Sequence, residues 1–304
     1  MKKVIWIILL LSGLWNVHAL PIDAGWVNHF DGKSENYLIK RGNETISAGV
    51  FTVLQVGDEI SVSDKRHSIE LSLRGGIEQA IVTYSNSPFK IDNASQVSTG
   101  ELWTWIKQCL NGWHELTQHK TSAEADNGDS KGIIMPLLDN LKNQAVLIAG
   151  KRPLYLDWYG SNPPYQVQVK QSGRRGKVLL TQETFDSVIE TAPLTFEINK
   201  SYQVVISDAS AQKFTGGFIA IAPADRPNYL IPSQDSLPDV LRHTLEATWL
   251  AMQQDGKGQQ FFSGQWFFEA YQQVAGIINY RPAQLLKDVL AQGLEKIVRR
   301  GVRG

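Results

Sequence analysis

One cysteine in 304 residues leaves no partner for an internal disulfide, so every domain of this chain must hold together by packing alone. Charge of a single sign is missing too. The 30 lysines and arginines are matched by 30 aspartates and glutamates, so the chain lacks the basic excess with which proteins meet a phosphate backbone. Nucleic acid is not an expected partner. Long apolar runs are absent except at the start, where residues 4–15 are apolar apart from Ser12 and Gly13. A bilayer crossing needs roughly 20 such residues, and Asn16 and His18 interrupt this run before Pro21. The sequence also has no G-x-S-x-G, P-loop, dinucleotide-binding glycine fingerprint, C-x-x-C or H-E-x-x-H.

What the first residues do contain is an ordered export signal. Lys2 and Lys3 form a basic start, the apolar run follows, and Val17-His18-Ala19 supplies tolerated residues for peptidase cleavage. Residues 1–19 are therefore expected to be removed near Ala19, giving a periplasmic or secreted protein with two more acids than bases. Membrane association is expected only through an uncleaved signal or through Arg299, Arg300 and Arg303.

From residue 50 to about 91 the chain alternates apolar and polar side chains with period two. Phe51-Thr52-Val53-Leu54-Gln55, Glu59-Ile60-Ser61-Val62, Ser68-Ile69-Glu70-Leu71-Ser72-Leu73 and residues 77–84 each place alternate residues on one face. Gly57-Asp58, residues 64–67 and Gly75-Gly76 supply the turns. On Leu54 to Ile60, the strand 68–73 and Gly75-Gly76, the sequence resembles the FecR-type extracytoplasmic domain over about forty residues. The resemblance implies a small β-domain in the envelope that senses a ligand-loaded partner. Only Met1-Lys2-Lys3 stand before the apolar segment, so the cytoplasmic part of the signalling form is not expected, nor is transmembrane signalling.

Ser98-Thr99-Gly100-Glu101 reads as a capping box, with Ser98 at the N-cap and Glu101 at N3. The helix it opens runs to about residue 118, with Leu102, Trp103, Ile106, Cys109, Leu110, Trp113 and Leu116 forming a broad apolar stripe. Cys109 lies in that stripe and is expected to be a small core residue. His114 and His119 suggest a zinc helix, but five positions separate them by about 140° around a helix axis, so no metal is expected there. Residues 120–132 read as a flexible polar loop.

Between residues 153 and 222 about seven strands are expected, including 154–158, 165–169, 177–180, 194–198, 202–206 and 218–221. Pro163-Pro164, Ser172-Gly173, Asn199-Lys200 and Gly216-Gly217 mark their ends. Seven short strands in about seventy residues call for a two-layer sandwich. The pattern resembles fibronectin type III and immunoglobulin-like domains without the disulfide. The resemblance implies that Trp158 fills the space between sheets and that Tyr202 is a tyrosine corner, bonding the backbone upstream.

Ser236-Leu237-Pro238-Asp239 is a helix start with Ser236 as cap, followed by apolar residues at helical spacing to Met252. A second helix is expected over 264–279 and a third from Arg281-Pro282. Trp266 to Ala275 is similar to one helix of a tetratricopeptide-type repeat, but a single copy cannot build a solenoid.

The expected organisation is mostly β with α: a signal peptide (1–19), a FecR-like β-domain (20–95), a linking helix and flexible loop (96–149), an Ig/FnIII-like sandwich (150–224) and a helical region (225–304). Catalytic, cofactor-binding and metal-binding residues are not expected. Asp157 is the carboxylate most worth inspecting, but a glycosidase needs a second one, so it reads as a solvent-facing strand residue. The expected function is non-catalytic binding of an envelope protein or polymer through strand edges, the Trp-rich helix or the C-terminal helices. The alternatives are carbohydrate or peptidoglycan binding on exposed Trp26, Tyr155 or Tyr159, and a secreted hydrolase whose site is assembled from distant residues.

Overall fold

The computed structural model describes residues 22–97, 100–118, 132–138, 144–227, 237–253 and 264–292. The expected signal peptide, Ser98, His119, Ser236 and the C-terminal arginines lie outside the described residues. The architecture is mixed, strand-rich, with several antiparallel sheets and four helices. Among the described residues no helix is long and apolar enough to cross a membrane.

Eight strands open the fold: β1 (Asp23–Phe30), β2 (Tyr37–Arg41), β3 (Glu44–Ser47), β4 (Val53–Gln55), β5 (Glu59–Val62), β6 (Ser68–Leu73), β7 (Glu78–Thr83) and β8 (Phe89–Lys90). They form two antiparallel sheets, ordered β4-β1-β6-β7 and β3-β2-β5-β8. Val27, Ile39, Leu54, Ile60, Ile69, Leu71 and Val82 fill one apolar cluster. The period-two pattern translates directly: β5 buries Ile60 and Val62 and leaves Glu59 and Ser61 half-exposed. Strands β1, β2 and β3 precede the segment where the alternation is legible. β1 hides because five successive residues, Ala24 to Asn28, are buried, which erases a two-residue period.

Asp58 gives the Gly57-Asp58 turn its chemistry. Its buried carboxylate accepts from Arg41 Nε and Nη2 at 2.9 and 2.8 Å and from the backbone N–H of Gln55 at 2.8 Å. The same guanidinium donates to the carbonyl of Val53 at 2.9 Å, so the pair ties β2 to β4 and to the turn.

Helix α1 (Glu101–Gln118) is a packing element more than a link. It belongs to one apolar cluster with Trp26 and Phe51 of the first β-region, with the second β-region, and with α2 (Asp239–Ala251), α3 (Phe267–Val274) and α4 (Arg281–Gln292). The physical cause is a buried face wider than the stripe seen in sequence. Trp105 and Gly112 are buried too, whereas Leu102 is only half-buried. A Cβ at Gly112 would lie 1.8 Å from Met252 Sδ, so the Met252 side chain at the end of α2 packs directly over this glycine and any larger residue would displace it. Trp103 stacks on Trp26 at 6.0 Å, and Phe51 meets Trp113 edge-on at 4.9 Å. Trp113 Nε1 donates to the carbonyl of Pro282 at 3.1 Å, and Trp103 Nε1 donates to Asp23 at 2.9 Å.

The second β-region contains β9 (Ala145–Ile148), β10 (Gly150–Arg152), β11 (Tyr155–Asp157), β12 (Tyr165–Gln171), β13 (Val178–Thr184), β14 (Val188–Glu190), β15 (Leu194–Phe196), β16 (Lys200–Ser207) and β17 (Lys213–Ile221). Five of these form a sheet ordered β13-β12-β16-β17-β9, in which β17 and β9 run parallel. β10 pairs with β15 and β11 with β14. Gly216 and Gly217, expected to end a strand, sit in the middle of β17. A Cβ at Gly216 would come within 2.5 Å of Leu138 Cβ, so the residue is small because another segment lies across the strand, not because the strand stops.

Helix bounds also differ from those expected. α2 has Pro238 at its N-cap with no side-chain cap bond, one position before the helical residues, where the sequence places proline in the first turn. α3 occupies 267–274 of the expected 264–279.

Candidate functional site

The densest buried polar chemistry lies where α3 meets β9, β10 and β11. Within Phe267–Val274, every residue except Gln273 is buried, including Glu269 and Gln272. A polar side chain forced inward by an apolar helix must find partners, and both do. Glu269, 1% exposed, accepts from the backbone N–H of Ile148 at 2.9 Å and from Arg152 Nη1 at 3.0 Å to each oxygen. Gln273 adds a bond to Glu269 Oε1 at 3.2 Å.

One helical turn on, the Gln272 side-chain amide imitates a neighbouring strand. Its Oε1 accepts from Tyr155 N–H at 2.8 Å and its Nε2 donates to Tyr155 C=O at 2.8 Å. Residues three apart share a helix face, so Glu269 and Gln272 together close the free edge of β9–β11. The seam continues to Tyr271, whose hydroxyl donates to Asp157 Oδ2 at 3.4 Å.

Asp157 is thus not the solvent-facing residue expected of it. Burial raises its carboxyl above the usual aspartate range, with Asp288 adding to the shift, while the Tyr271 hydrogen bond and Lys287 act against it. Burial likewise pushes the Tyr271 phenol far above its ordinary value, and Asp157 and Asp288 reinforce this. The phenol keeps its proton and works as a donor. A carboxyl whose folded pKa is raised adds stability below the unfolded pKa and loses it as pH climbs through the folded value. Asp157→Asn keeps an acceptor for Tyr271 and removes that loss. Its melting temperature should exceed that of the parent at neutral pH and converge with it once pH falls below the carboxylate range. A difference that stays constant with pH would show that burial does not set this carboxyl's protonation.

Chemically the seam is a lock. Glu269, the second carboxylate nearby in sequence to Tyr271, is already neutralised by Arg152 and bonded to Ile148. Among the described residues, no group of three or more His, Cys, Asp or Glu side chains could hold a metal ion. The histidines sit apart: His29 lies 3.4 Å from Asp31, His67 3.7 Å from Asp64, and His243 4.0 Å from Glu246, while His114 packs edge-on to Trp113. Cys109 is fully buried, and burial, with Glu246 in second place, holds its thiol protonated well above the ordinary range.

The other residues singled out in sequence fall as follows. Trp158 is buried and meets Tyr165 edge-on at 5.3 Å. The Tyr202 hydroxyl accepts from the backbone N–H of Glu197 at 2.8 Å, with Phe196 and Phe218 around its ring. Glu101 is the exposed first residue of α1. The aromatic platform does not assemble: Trp26 is fully buried, Tyr155 is half-buried with its hydroxyl on Glu190 at 2.9 Å, and only Tyr159 is exposed. On the Trp-rich helix, Trp103, Trp105 and Trp113 are all buried.

Glu269 and Gln272 were not singled out in the sequence, although a signal was there. A Glu and a Gln three positions apart inside the apolar run Trp266 to Val274 are polar groups on a face that must be buried. The chain matches no protein-family model, no curated protein and no solved structure.

Proposed function

We propose that this chain is an exported, non-catalytic scaffold of the bacterial envelope that contacts a protein partner or an envelope polymer through β7. One observation carries the reading. Ile77 (69% exposed), Ile81 (58%) and Tyr84 (47%) stand together on or beside β7, the outermost strand of its sheet. Ile81 lies within β7, while Ile77 immediately precedes the strand at the end of the Gly75-Gly76 turn and Tyr84 immediately follows it. Large apolar side chains grouped on an unpaired edge strand mark an interaction surface.

The buried ionisable groups support the same reading, because Asp58, Glu246 and Glu269 are each engaged by an arginine in holding elements together. The turn built on Asp58 supports the FecR-like assignment of residues 20–95. In the second β-region, β12, β16 and β17 share one sheet with β13 beside them, while 150–157 pairs with 188–196. That grouping follows the C′-C-F-G and B-E neighbours of an immunoglobulin-type sandwich. Carbohydrate binding on stacked aromatics is less favoured, since Trp26 is buried.

A photo-crosslinking residue at position 81, in the full chain expressed in its native envelope, tests the proposal. The expected result is a discrete covalent adduct that disappears in Ile77→Lys and is absent when the crosslinker sits at Ile278, which is more open still (71% exposed). Adducts at both positions, or none at position 81, would refute a β7 contact surface.

A further inference from the structure

We infer that β13 is a self-association edge, joining this chain to a second copy by antiparallel pairing about a two-fold axis. The proposal stands apart from the β7 reading and uses a different strand.

The two edges of the five-stranded sheet are treated differently. On the β9 side, Val146 N–H donates to the carbonyl of Gln265 and Ile148 N–H to Glu269, so that edge is closed by the segment around α3. On the other side, among the described residues, β13 pairs with β12 alone. Its first five residues, Val178-Leu179-Leu180-Thr181-Gln182, carry no charge and no proline, two of the devices that keep an edge strand from pairing; a register shift against β12 falls between Val178 and Leu180, and the one charge within the strand is Glu183. Val178 is 48% exposed, and Phe185, just beyond the strand, is 72% exposed.

Charge then selects the occupant. Arg174, Arg175 and Lys177 stand exposed at the start of the strand, and Glu183 and Asp186 stand exposed at its end. Two copies paired antiparallel bring the basic end of each against the acidic end of the other. Parallel pairing would set like charges side by side. An isologous, two-fold contact requires a self-complementary surface, and this strand is one. Phe185 at the acidic end is then covered by the apolar start of its mate's strand, which accounts for so large an aromatic lying open in one copy. The chemistry specifies a second copy of this chain and not an unrelated acidic or basic protein, because basic residues flank the start of the strand and acidic residues stand at its end, the order that its own reversal satisfies.

The test uses the full chain and two charge variants, Glu183→Lys with Asp186→Lys (basic at both ends) and Arg174→Glu, Arg175→Glu with Lys177→Glu (acidic at both ends). Sedimentation should show a concentration-dependent dimer of the parent chain that weakens as salt is raised. Each variant alone should lose about tenfold or more in self-affinity, roughly 1.4 kcal/mol. Mixed together, the two should form a heterodimer, which also shows that neither has failed to fold. A parent chain that stays monomeric at every concentration would overturn the proposal. So would a dimer indifferent to both variants, or variants that remain apart when mixed. Crosslinking at position 81 is unaffected by any of these outcomes, so the two proposals fail separately.

Discussion

Replacing Glu269 with alanine should lower the unfolding free energy by about 3 kcal/mol, the lower end of what removing one partner of a buried ion pair costs. Arg152 is partly exposed and can recover some hydration, whereas the Ile148 N–H loses its acceptor inside the protein. Glu269→Gln retains an oxygen for Ile148 and gives up only the charge, so its cost should be smaller. Urea unfolding of the three proteins measures the order. If alanine and glutamine shift the midpoint equally, the backbone bond contributes nothing and the carboxylate acts only as a counter-ion to Arg152.

The second large effect is expected at Trp26. Its indole faces away from the β1 partner cluster containing Val27 and lies against Trp103 of α1. A Cβ on Gly76 would fall 3.0 Å from Trp26 and 2.9 Å from Leu241, so the ring, the Gly75-Gly76 turn and α2 meet at one point. Trp26→Ala should cost about 3–5 kcal/mol, combining lost burial with the cavity left behind. Trp26→Phe should cost less, since the indole N–H has no hydrogen-bond partner to lose among the described residues. Thermal unfolding reports both. A loss below about 1 kcal/mol for alanine would mean that the first β-region and the helices are not joined through this ring.

These two residues show where sequence was informative and where it was not. Strands 59–62 and 68–73 are legible to the residue, because apolar residues of one face alternate with polar residues of the other, half-exposed except for the buried Ser72. The face of α1 was visible as a stripe, but its full width was not. Trp105 and Gly112 are buried too, Gly112 against Met252 at the end of α2, more than a hundred positions away in the chain. β9 and β10 are too short and too irregularly buried to show a period, and their edge is completed by a helix, a pairing with no local signature. The seam at Glu269 is unreadable for the same reason. Sequence supplies a glutamate in an apolar helix; only the fold supplies Ile148 and Arg152. Asp157 reads in the sequence as a solvent-facing residue because nothing near it in the chain announces Tyr271.

The closure of the β9 edge also dictates an order of events during synthesis. Ile148 and Glu269 are separated by 121 positions. A ribosome therefore delivers the whole second β-region, with bare amides along one margin, well before the helix that covers them exists. Until α3 arrives that margin is open to any passing strand, the kind of contact that leads to aggregation. Truncations ending near residue 224 would freeze the chain in this vulnerable interval, so the β-region and its helices should be produced together.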